Sequence, residues 1–188
     1  MGWLRFVIFV VFVLAGCSPA LISGGSDYRG QVVDADTNEP IEGAVVVIVW
    51  YKKPAVSMNG PQYFHRAEEA LTDSEGRFTL NASSGIDVNP FTYVLRDPRI
   101  VIFKPGYGPF PRAHVSSKSI EEIKRAFLQG GAVIRLPKLK NKEDLRKYSD
   151  PGDLMISSLV PYDKIPELTR LINRQRAVLG FPPIGGNR

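Results

Sequence analysis

The chain of 188 residues has a single cysteine and only two histidines. One thiol excludes a framework of intramolecular disulfides. His65 and His114 lie 49 positions apart, so the H-E-x-x-H zinc motif and other closely spaced imidazole pairs are missing. The G-x-S-x-G motif, the phosphate-binding loop and the dinucleotide-binding glycine fingerprint are missing too. These absences argue against the common hydrolases and nucleotide enzymes, and they predict no metal site and no soluble cofactor.

The sequence has one long apolar run, and it lies at the start of the chain. Residues 1–16 hold 13 apolar side chains and one charge, Arg5, and the unbroken apolar stretch is Phe6–Ala15. A helix of about ten residues, at about 1.5 Å each, would cover about half of a ~30 Å hydrocarbon core. Residues 1–16 are therefore predicted to be a signal peptide, and a polytopic helical membrane protein is excluded.

The end of this leader, Leu14-Ala15-Gly16-Cys17, resembles the lipobox of bacterial lipoproteins. The resemblance implies export, attachment of diacylglycerol to the Cys17 sulfur, cleavage before Cys17 and acylation of the new amino terminus, for example with palmitate. Lipidation would consume the lone thiol, and two or three acyl chains anchor a protein stably to a membrane. Ser18, by resemblance to Gram-negative sorting, favours the outer membrane, with the protein facing the periplasm. An ordinary signal peptide beside an incidental cysteine is the alternative.

The segment that follows is rich in Ser, Gly and Pro, so residues 17–27 are expected to form a flexible tether. Short β-type runs separated by turn residues begin after it, and they predict an antiparallel β-sandwich. The run 44–51 (AVVVIVWY) is apolar throughout and is expected to be a central strand. The expected strands are 28–34, 44–51, 77–80, 91–96, 99–104 and 132–136.

Four motifs, in order, resemble the carboxypeptidase regulatory-like domain. They begin at Gly30 (GQVVD), Thr37 (TNEPIEGAVV), Thr72 (TDSEGRFTL) and Lys104 (KPGY). The resemblance covers residues 28–137 and implies a transthyretin-like (prealbumin-like) antiparallel sandwich of Greek-key type. The chain departs from that pattern in 52–71, which is long for that family, and in the insertion 115–131.

Two segments have helical patterns. Ser119 and Glu122 form a capping box that opens a short helix within the insertion 115–131, and Gly130 is expected to end it. Residues 138–188 form a basic helical C-terminal extension, in which a helix begins at Pro166 and ends at Gly180. This extension carries ten Lys and Arg against six Asp and Glu, whereas residues 17–137 carry 13 of each. The positive charge of the mature chain therefore lies in the extension.

Some segments resemble the motifs of enzymes or metal sites, but residues that those sites require are missing here. Val33-Asp34 through Trp50 resembles intradiol dioxygenases, but their H-x-H iron ligands are missing. Residues 28–30 resemble the terminal tetrapeptide of hydroxyisourate hydrolases, but they lie at the wrong end of the fold. Asp34-x-Asp36-x-Asn38 begins like a calcium loop without its obligatory glycine, so a side-chain-stabilised turn is the better interpretation.

Two surfaces remain as candidate binding sites. The first is the predicted loop 59–66, where Tyr63, Phe64, His65 and Arg66 could stack on a sugar or hold a peptide, although the aromatic rings could equally pin the loop to the sandwich. The second is the basic part of the extension, which could contact anionic headgroups or an acidic partner over short distances, although its charges could equally be a solvated face. Its members are Lys138, Lys140, Lys142, Arg146, Lys147, Arg170, Arg174 and Arg176.

Without converging catalytic groups, the sequence favours a non-catalytic, membrane-anchored interaction or scaffold module of the cell envelope. Its expected partners are the membrane, through the lipid on Cys17, and an envelope protein or glycan. Nucleic acid is not expected, because an exported protein would not meet it. A glycan- or peptide-binding lipoprotein that uses 59–66 is the alternative. A hydrolase built around His65 or His114 is a weaker one.

Overall fold

The computed structural model describes residues 27–56, 59–81, 83, 89–95, 97–113, 116, 118–154, 156 and 159–185. The expected signal peptide 1–16, the lipidation site Cys17, most of the tether and His114 lie outside these residues. Seven strands are present: β1 (Tyr28–Asp34), β2 (Val45–Pro54), β3 (Tyr63–Leu71), β4 (Arg77–Leu80), β5 (Thr92–Val94), β6 (Arg99–Phe103) and β7 (Ala132–Leu136). Three α-helices accompany them: α1 (Ile120–Leu128), α2 (Lys142–Lys147) and α3 (Pro166–Leu179), with a 3₁₀ turn at Tyr162–Lys164.

The strands form two sheets, which confirms a mainly β sandwich with a helical insertion and a helical extension. One sheet has the order β4-β1-β7, and the other has the order β3-β2-β5, with β6 also paired to β2. All strand pairs are antiparallel except β1 with β7, which is parallel in register Gly30↔Ala132 through Asp34↔Leu136. The expectation of an antiparallel sandwich therefore fails for this one pair. A parallel pair needs a long connection between its two strands, and here that connection is the whole segment from β2 to α1.

Residues 52–71, which lie between two of the expected strands, contain most of a further strand pair, so the predicted loop 59–66 is wrong for residues 63–66. Strand β2 continues to Pro54, and Tyr63–Leu71 returns as β3, paired with β2 from Val45↔Leu71 to Lys52↔Tyr63. The side chains of Glu68 and Glu69 lower the apparent β propensity of this segment. Pairing with the apolar strand β2 outweighs that local preference.

The sandwich core lies between the two sheets and is closed by α1. Val46, Ile48 and Trp50 of β2 face Phe78 and Leu80 of β4 across it. Phe127 of α1 enters this core and is fully buried, with its ring centroid 5.7 Å from that of Phe78 and 6.2 Å from that of Phe110. The predicted capping box is confirmed, because the Ser119 hydroxyl accepts from the Glu122 amide and the Glu122 carboxylate accepts from the Ser119 amide.

A second core lies on the outer face of the β3-β2-β6 sheet, under the C-terminal extension. Val45, Val47 and Val49 of β2, with Val101 and Phe103 of β6, form its floor. The extension covers them with eight buried side chains: Tyr148, Leu154, Ile156, Val160, Ile165, Leu168, Leu171 and Ile172. Since β2 is buried on both faces, its uninterrupted apolar sequence matches its position. The extension is thus a structural layer of the domain.

Two polar contacts hold α3 in this place. The Glu69 carboxylate of β3 accepts from the Glu167 and Leu168 amides at 2.9 Å each, and so caps the helix N-terminus from the neighbouring sheet. Burial raises the pKa of Glu69, although these two amides act in the opposite direction. Gln175 is buried; its Oε1 accepts from the Gly106 amide and its Nε2 donates to the Leu145 and Tyr148 carbonyls, all at 3.0 Å.

Both turns that the sequence indicated are present. The Asp34 carboxylate accepts from the Asp36 amide at 2.8 Å and the Thr37 amide at 3.1 Å. These two amides, the Asp36 amide foremost, lower the pKa of Asp34 against the effect of burial. Asp73 accepts from the Glu75 and Arg77 amides, and Gly76 follows with φ +70°, where a Cβ would overlap the Val32 carbonyl oxygen. The calcium-like stretch at Asp34 is therefore a side-chain-stabilised turn.

Candidate functional site

The four residues expected to form a binding loop lie at the beginning of strand β3. Phe64 packs against the second core, and Arg66 pairs with Glu68 and donates to the Ser83 carbonyl at 3.4 Å. Tyr63 is the most open of the four, with 47% of its surface exposed. Phe64 and Arg66 therefore have structural partners, and Tyr63 is left as the accessible member of this group together with the half-buried His65.

The eight basic residues expected to form one patch on the extension divide into groups with different surroundings. Arg176 is almost enclosed, with 11% of its side chain exposed. Its guanidinium donates to the Ser149 and Pro182 carbonyls and to the Asp150 carboxylate, and it lies 5.5 Å from the centre of the Phe181 ring. Arg146 stacks on the same ring, 5.8 Å from its centre. These contacts tie the chain end to α2 and α3, so both arginines hold the extension together.

Lys147 and Arg170 have local partners, although both side chains are exposed. The Lys147 ammonium lies 5.4 Å from the centre of the Tyr148 ring, and Arg170 pairs with Glu167 one turn earlier on α3 at 2.6 Å. Such surface pairs contribute about 0.2–1 kcal/mol, so they do not fix these cations firmly. Lys138, Lys140, Lys142 and Arg174 are exposed as well, and they remain available for an electrostatic contact.

Lys104, which the sequence did not single out, lies beside this group. Its ammonium donates to the Glu42 carbonyl, next to the turn at Gly43. Burial lowers the pKa of Lys104, and the positive charges of Arg174 and Arg170 lower it further. The sequence signal was the KPGY motif at 104–107. Lys104 lies next to α3 because the amide of Gly106, in the same motif, donates to the Gln175 side chain of α3.

The outer face of the β4-β1-β7 sheet is the larger feature that the sequence reading missed. Side chains alternate along each strand, so Phe78, Leu80, Ala132 and Ile134 point into the core. The opposite face is polar and mostly exposed, with Arg77 next to Gln31 and Gln31 next to Val133. Its members are Arg29, Gln31, Arg77, Thr79, Val133 and Arg135. The alternation of the three strands was visible in the sequence, but their adjacency was not.

Three arginines lie on this open face, and two of them have carboxylate partners. Arg29 pairs with Asp27 at 2.9 Å, Arg77 pairs with Glu75, and Arg135 donates to the Asn38 side-chain carbonyl at 3.3 Å. A hollow of about 320 Å³ lies on it, lined by Arg29, Arg77, Thr79 and the Gly130–Gly131 turn among others. The described residues contain no cluster of three or more His, Cys, Asp or Glu side chains that could hold a metal ion. No helix in this part of the chain is long and apolar enough to cross a membrane. The guanidinium, amide and hydroxyl groups on the outer β4-β1-β7 face can bind anionic or hydrogen-bonding groups.

No family model matches the chain, and no curated protein matches it. Among solved structures, a 9R-lipoxygenase from Cyanothece PCC8801 is similar over 35% of this chain and 9% of the lipoxygenase chain, with 20% identity and a TM-score of 0.21. The similarity thus spans a small part of a much longer protein. At this TM-score it carries no argument about fold or function, so the comparisons assign the chain to no family.

Proposed function

We propose that this protein is a membrane-anchored, non-catalytic lipoprotein of the cell envelope that serves as an interaction or scaffold module. The lipobox that ends at Cys17 supports the anchor and predicts an outer-membrane location facing the periplasm. The four sequence motifs support a carboxypeptidase regulatory-like domain of prealbumin-like topology. They fall on β1, on the turn before β2, on the turn before β4 and on the turn after β6.

The observation that carries the proposal is that one outer sheet face is covered by the chain and the other is exposed. The C-terminal extension covers the apolar face of β2 and β6, and Glu69 and Gln175 fix it there. The β4-β1-β7 face is left open and carries three arginines. A rigid scaffold with one closed and one open face is suited to holding a partner, because binding requires little reordering of the protein.

Localisation and partner binding are tested together in cells. Replacing Cys17 with Ser should move the protein from the membrane fraction to the soluble fraction and abolish incorporation of labelled fatty acid. Chemical crosslinking of the wild-type envelope should give a reproducible partner that depends on the anchor. Unchanged fractionation of Cys17→Ser would contradict the lipid anchor. The absence of any crosslinked partner would contradict the scaffold role.

The exposed cations of the extension offer a second, weaker contact in the same role. Lys138, Lys140 and Lys142, with Arg174, would meet anionic headgroups or an acidic partner directly, because screening limits exposed charges to about 8 Å at physiological salt. Arg174→Glu should reduce binding to anionic vesicles at low salt, and Arg146→Ala serves as the comparison for a structural arginine. Equal vesicle binding by Arg174→Glu and wild type would remove the extension from the contact surface.

Glycan or peptide binding through residues 63–66 and hydrolysis are tested separately. Tyr63→Ala removes the accessible ring and should leave the envelope partner unchanged. Enrichment of the protein on cell-wall polysaccharide, lost in Tyr63→Ala, would favour the glycan binder instead. Turnover of a substrate that is lost in His65→Ala or His114→Ala would overturn the non-catalytic assignment.

A further inference from the structure

Among the described residues, the side of strand β7 that faces away from β1 has no paired strand. In the part of the chain that the structure describes, β7 is the last strand of its sheet and its partner strand is β1. The Leu136 carbonyl points toward β1, since it accepts from the Ala35 amide at 3.0 Å. The next carbonyl, that of Pro137, points the other way and accepts from the Gly108 amide at 2.8 Å. The segment 106–108 therefore covers the far end of this edge, beyond Leu136.

Successive residues of a strand direct their backbone amides and carbonyls to opposite sides, and this identifies the groups of β7 that do not bond to β1. Since Leu136 points toward β1, the amides and carbonyls of Val133 and Arg135 point away from it. Among the described residues, no further hydrogen bond reaches these backbone groups. An exposed edge of this kind is a template for pairing with another chain.

A groove runs along this edge, so an added strand would have space. Its volume is about 520 Å³. Ile123 and Ala126 of α1 form an apolar wall, and Ala132 and Val133 of β7 form the opposite side. The charged side chains among its described lining residues are Lys118 and Arg135, both cationic. A second hollow, which Val133 also lines, contains Arg29 and Arg77, whose charges are offset by Asp27 and Glu75.

The charges distinguish between the possible occupants. Two copies of this chain paired through β7 would bring Arg135 and Lys118 of one copy close to those of the other, and like charges opposite each other are unfavourable. A strand from another polypeptide with acidic side chains at alternate positions would place carboxylates beside Arg135 on the outer face. Its intervening apolar side chains would lie toward Ile123 and Ala126.

We propose that the free edge of β7 docks an extended, acidic segment of a partner polypeptide as a fourth strand of the β4-β1-β7 sheet. Main-chain hydrogen bonds to Val133 and Arg135 would supply affinity, and the cations would supply specificity. This inference rests on the proposed function, because it names the docking site and the class of partner for the interaction module. It differs from the predicted sites at 63–66 and on the extension, neither of which includes a β7 residue.

The first test uses full-length lipidated protein in detergent and a labelled eight-residue peptide in which Glu and Val alternate. Val133→Pro removes the outward amide but leaves the bonds to β1, because proline is tolerated where the N–H faces away from the sheet. Val133→Thr is the matched control, since it keeps both the amide and a β-branched shape. We expect Val133→Pro to weaken peptide binding by at least about tenfold and Val133→Thr by less than about twofold. Equal binding by the two variants would overturn the proposal.

Charge reversal gives a second test that does not depend on how Val133→Pro folds. Arg135→Glu should weaken binding of the Glu peptide and improve binding of the same peptide with Lys in place of Glu. Tighter binding of the Lys peptide than of the Glu peptide by wild type would overturn the proposal. Self-association through β7, seen as a concentration-dependent dimer that Val133→Pro abolishes, would also overturn it, because a second copy would then be the occupant.

In cells, a photo-crosslinking amino acid at Val133 should capture a protein partner, and the same group at Val178 should not. Val178 is a suitable control because it is 72% exposed on α3, in the extension. Crosslinks from another surface position that persist in Val133→Pro would place the partner elsewhere, so the edge site would be wrong while the scaffold role stands. Peptide binding without any crosslink in the envelope would support the edge and contradict the proposed function.

Discussion

The two outer faces of the sandwich differ in whether another part of the chain covers them. The β3-β2-β6 face carries Val45, Val47 and Val49 with Phe103, all fully buried beneath the C-terminal extension. The β4-β1-β7 face carries arginines, Gln31 and Thr79, and the chain leaves it open. Strand β2 is apolar at every position from Val45 to Tyr51, whereas β4 and β7 alternate. A strand that is apolar on both sides needs a second covering layer, and here residues beyond Pro137 supply it.

The comparison changes how the extension should be probed. Its net charge left open whether it packs on the domain, and eight of its side chains are buried on the sheet. Removing it to test electrostatics would also expose an apolar sheet face.

Truncation after Leu136 should abolish soluble folding. It removes all eight covering side chains and exposes a contiguous apolar strip on β2 and β6, which promotes aggregation. Expression of residues 27–136 beside 27–185, followed by size-exclusion chromatography and near-ultraviolet circular dichroism, measures the effect. A monomeric, cooperatively unfolding 27–136 fragment would show that the second core is dispensable.

Leu168→Ala should destabilise the protein by about 2–5 kcal/mol, because Leu168 is fully buried in the second core and the change leaves a cavity. Val178→Ala on the same helix should change the free energy of unfolding by less than about 0.5 kcal/mol, since Val178 is exposed. Urea unfolding of both variants measures the difference. Similar costs at the two positions would contradict the docking of α3 on β2.

Gln175→Leu should cost about 1–3 kcal/mol although it adds apolar volume to a buried position. The substitution leaves the Gly106 amide and the Leu145 and Tyr148 carbonyls without their partner. Thermal unfolding of the variant beside Val178→Leu, at an exposed position of α3, separates the loss of these bonds from a change in helix propensity. An unchanged melting temperature in Gln175→Leu would contradict the role of this amide in holding the helix.

The cap on α3 should show a pH dependence of known sign. Burial raises the pKa of Glu69 above its value in the unfolded chain, so protonation favours the native state. The stabilisation from Glu69 is fully present at a pH below the pKa that Glu69 has in the unfolded chain. It is lost as the pH rises through the higher pKa that Glu69 has in the folded protein. The free energy of unfolding of Glu69→Gln, relative to wild type, should therefore increase between pH 4 and pH 7. A decrease over the same interval would mean that the amides of α3 outweigh burial.

Arg77→Ala and Val133→Ala on the open face should each change stability by less than about 0.5 kcal/mol. Both side chains are exposed, and the pair of Arg77 with Glu75 lies in solvent. Differential scanning calorimetry can resolve this small effect against Leu168→Ala. A loss of more than about 1 kcal/mol at either position would mean that this face packs against another part of the protein.

Local signals in the sequence located most of the elements. Short β-type runs between turn residues predicted β1, β4 and β7 at the bounds that the structure has, and the Ser119–Glu122 box and Gly180 marked where two helices begin and end. The missed strand, β3, has the pattern AEEAL, in which Ala and Glu are poor β formers. Its conformation depends on pairing with β2, and no local rule contains that information.

The candidate sites show the same limit more clearly. The basic residues of the extension were found from charge alone, yet the sequence could not separate Arg176, which binds the chain end, from Arg174, which is exposed. Phe64 and Arg66 looked like loop residues because their partners in the second core and at Glu68 come from packing. The arginines of the open face lie on three strands that are far apart in the chain, so no motif could join them.

Local residue patterns are enough to predict the mainly β class, the side-chain-stabilised turns and the amphipathic helices, because each depends on residues within a few positions of one another. The signal peptide and the lipid anchor stay predictions from the same kind of local pattern. The parallel pairing of β7 with β1 and the covering of the β2 face by the extension depend on tertiary contacts. So do the cap that Glu69 places on a helix about 100 residues later in the chain and, among the described residues, the exposure of the outer β4-β1-β7 face. These features follow from which apolar surfaces meet when the chain collapses. Burial of those surfaces is a property of the whole domain and of no single segment.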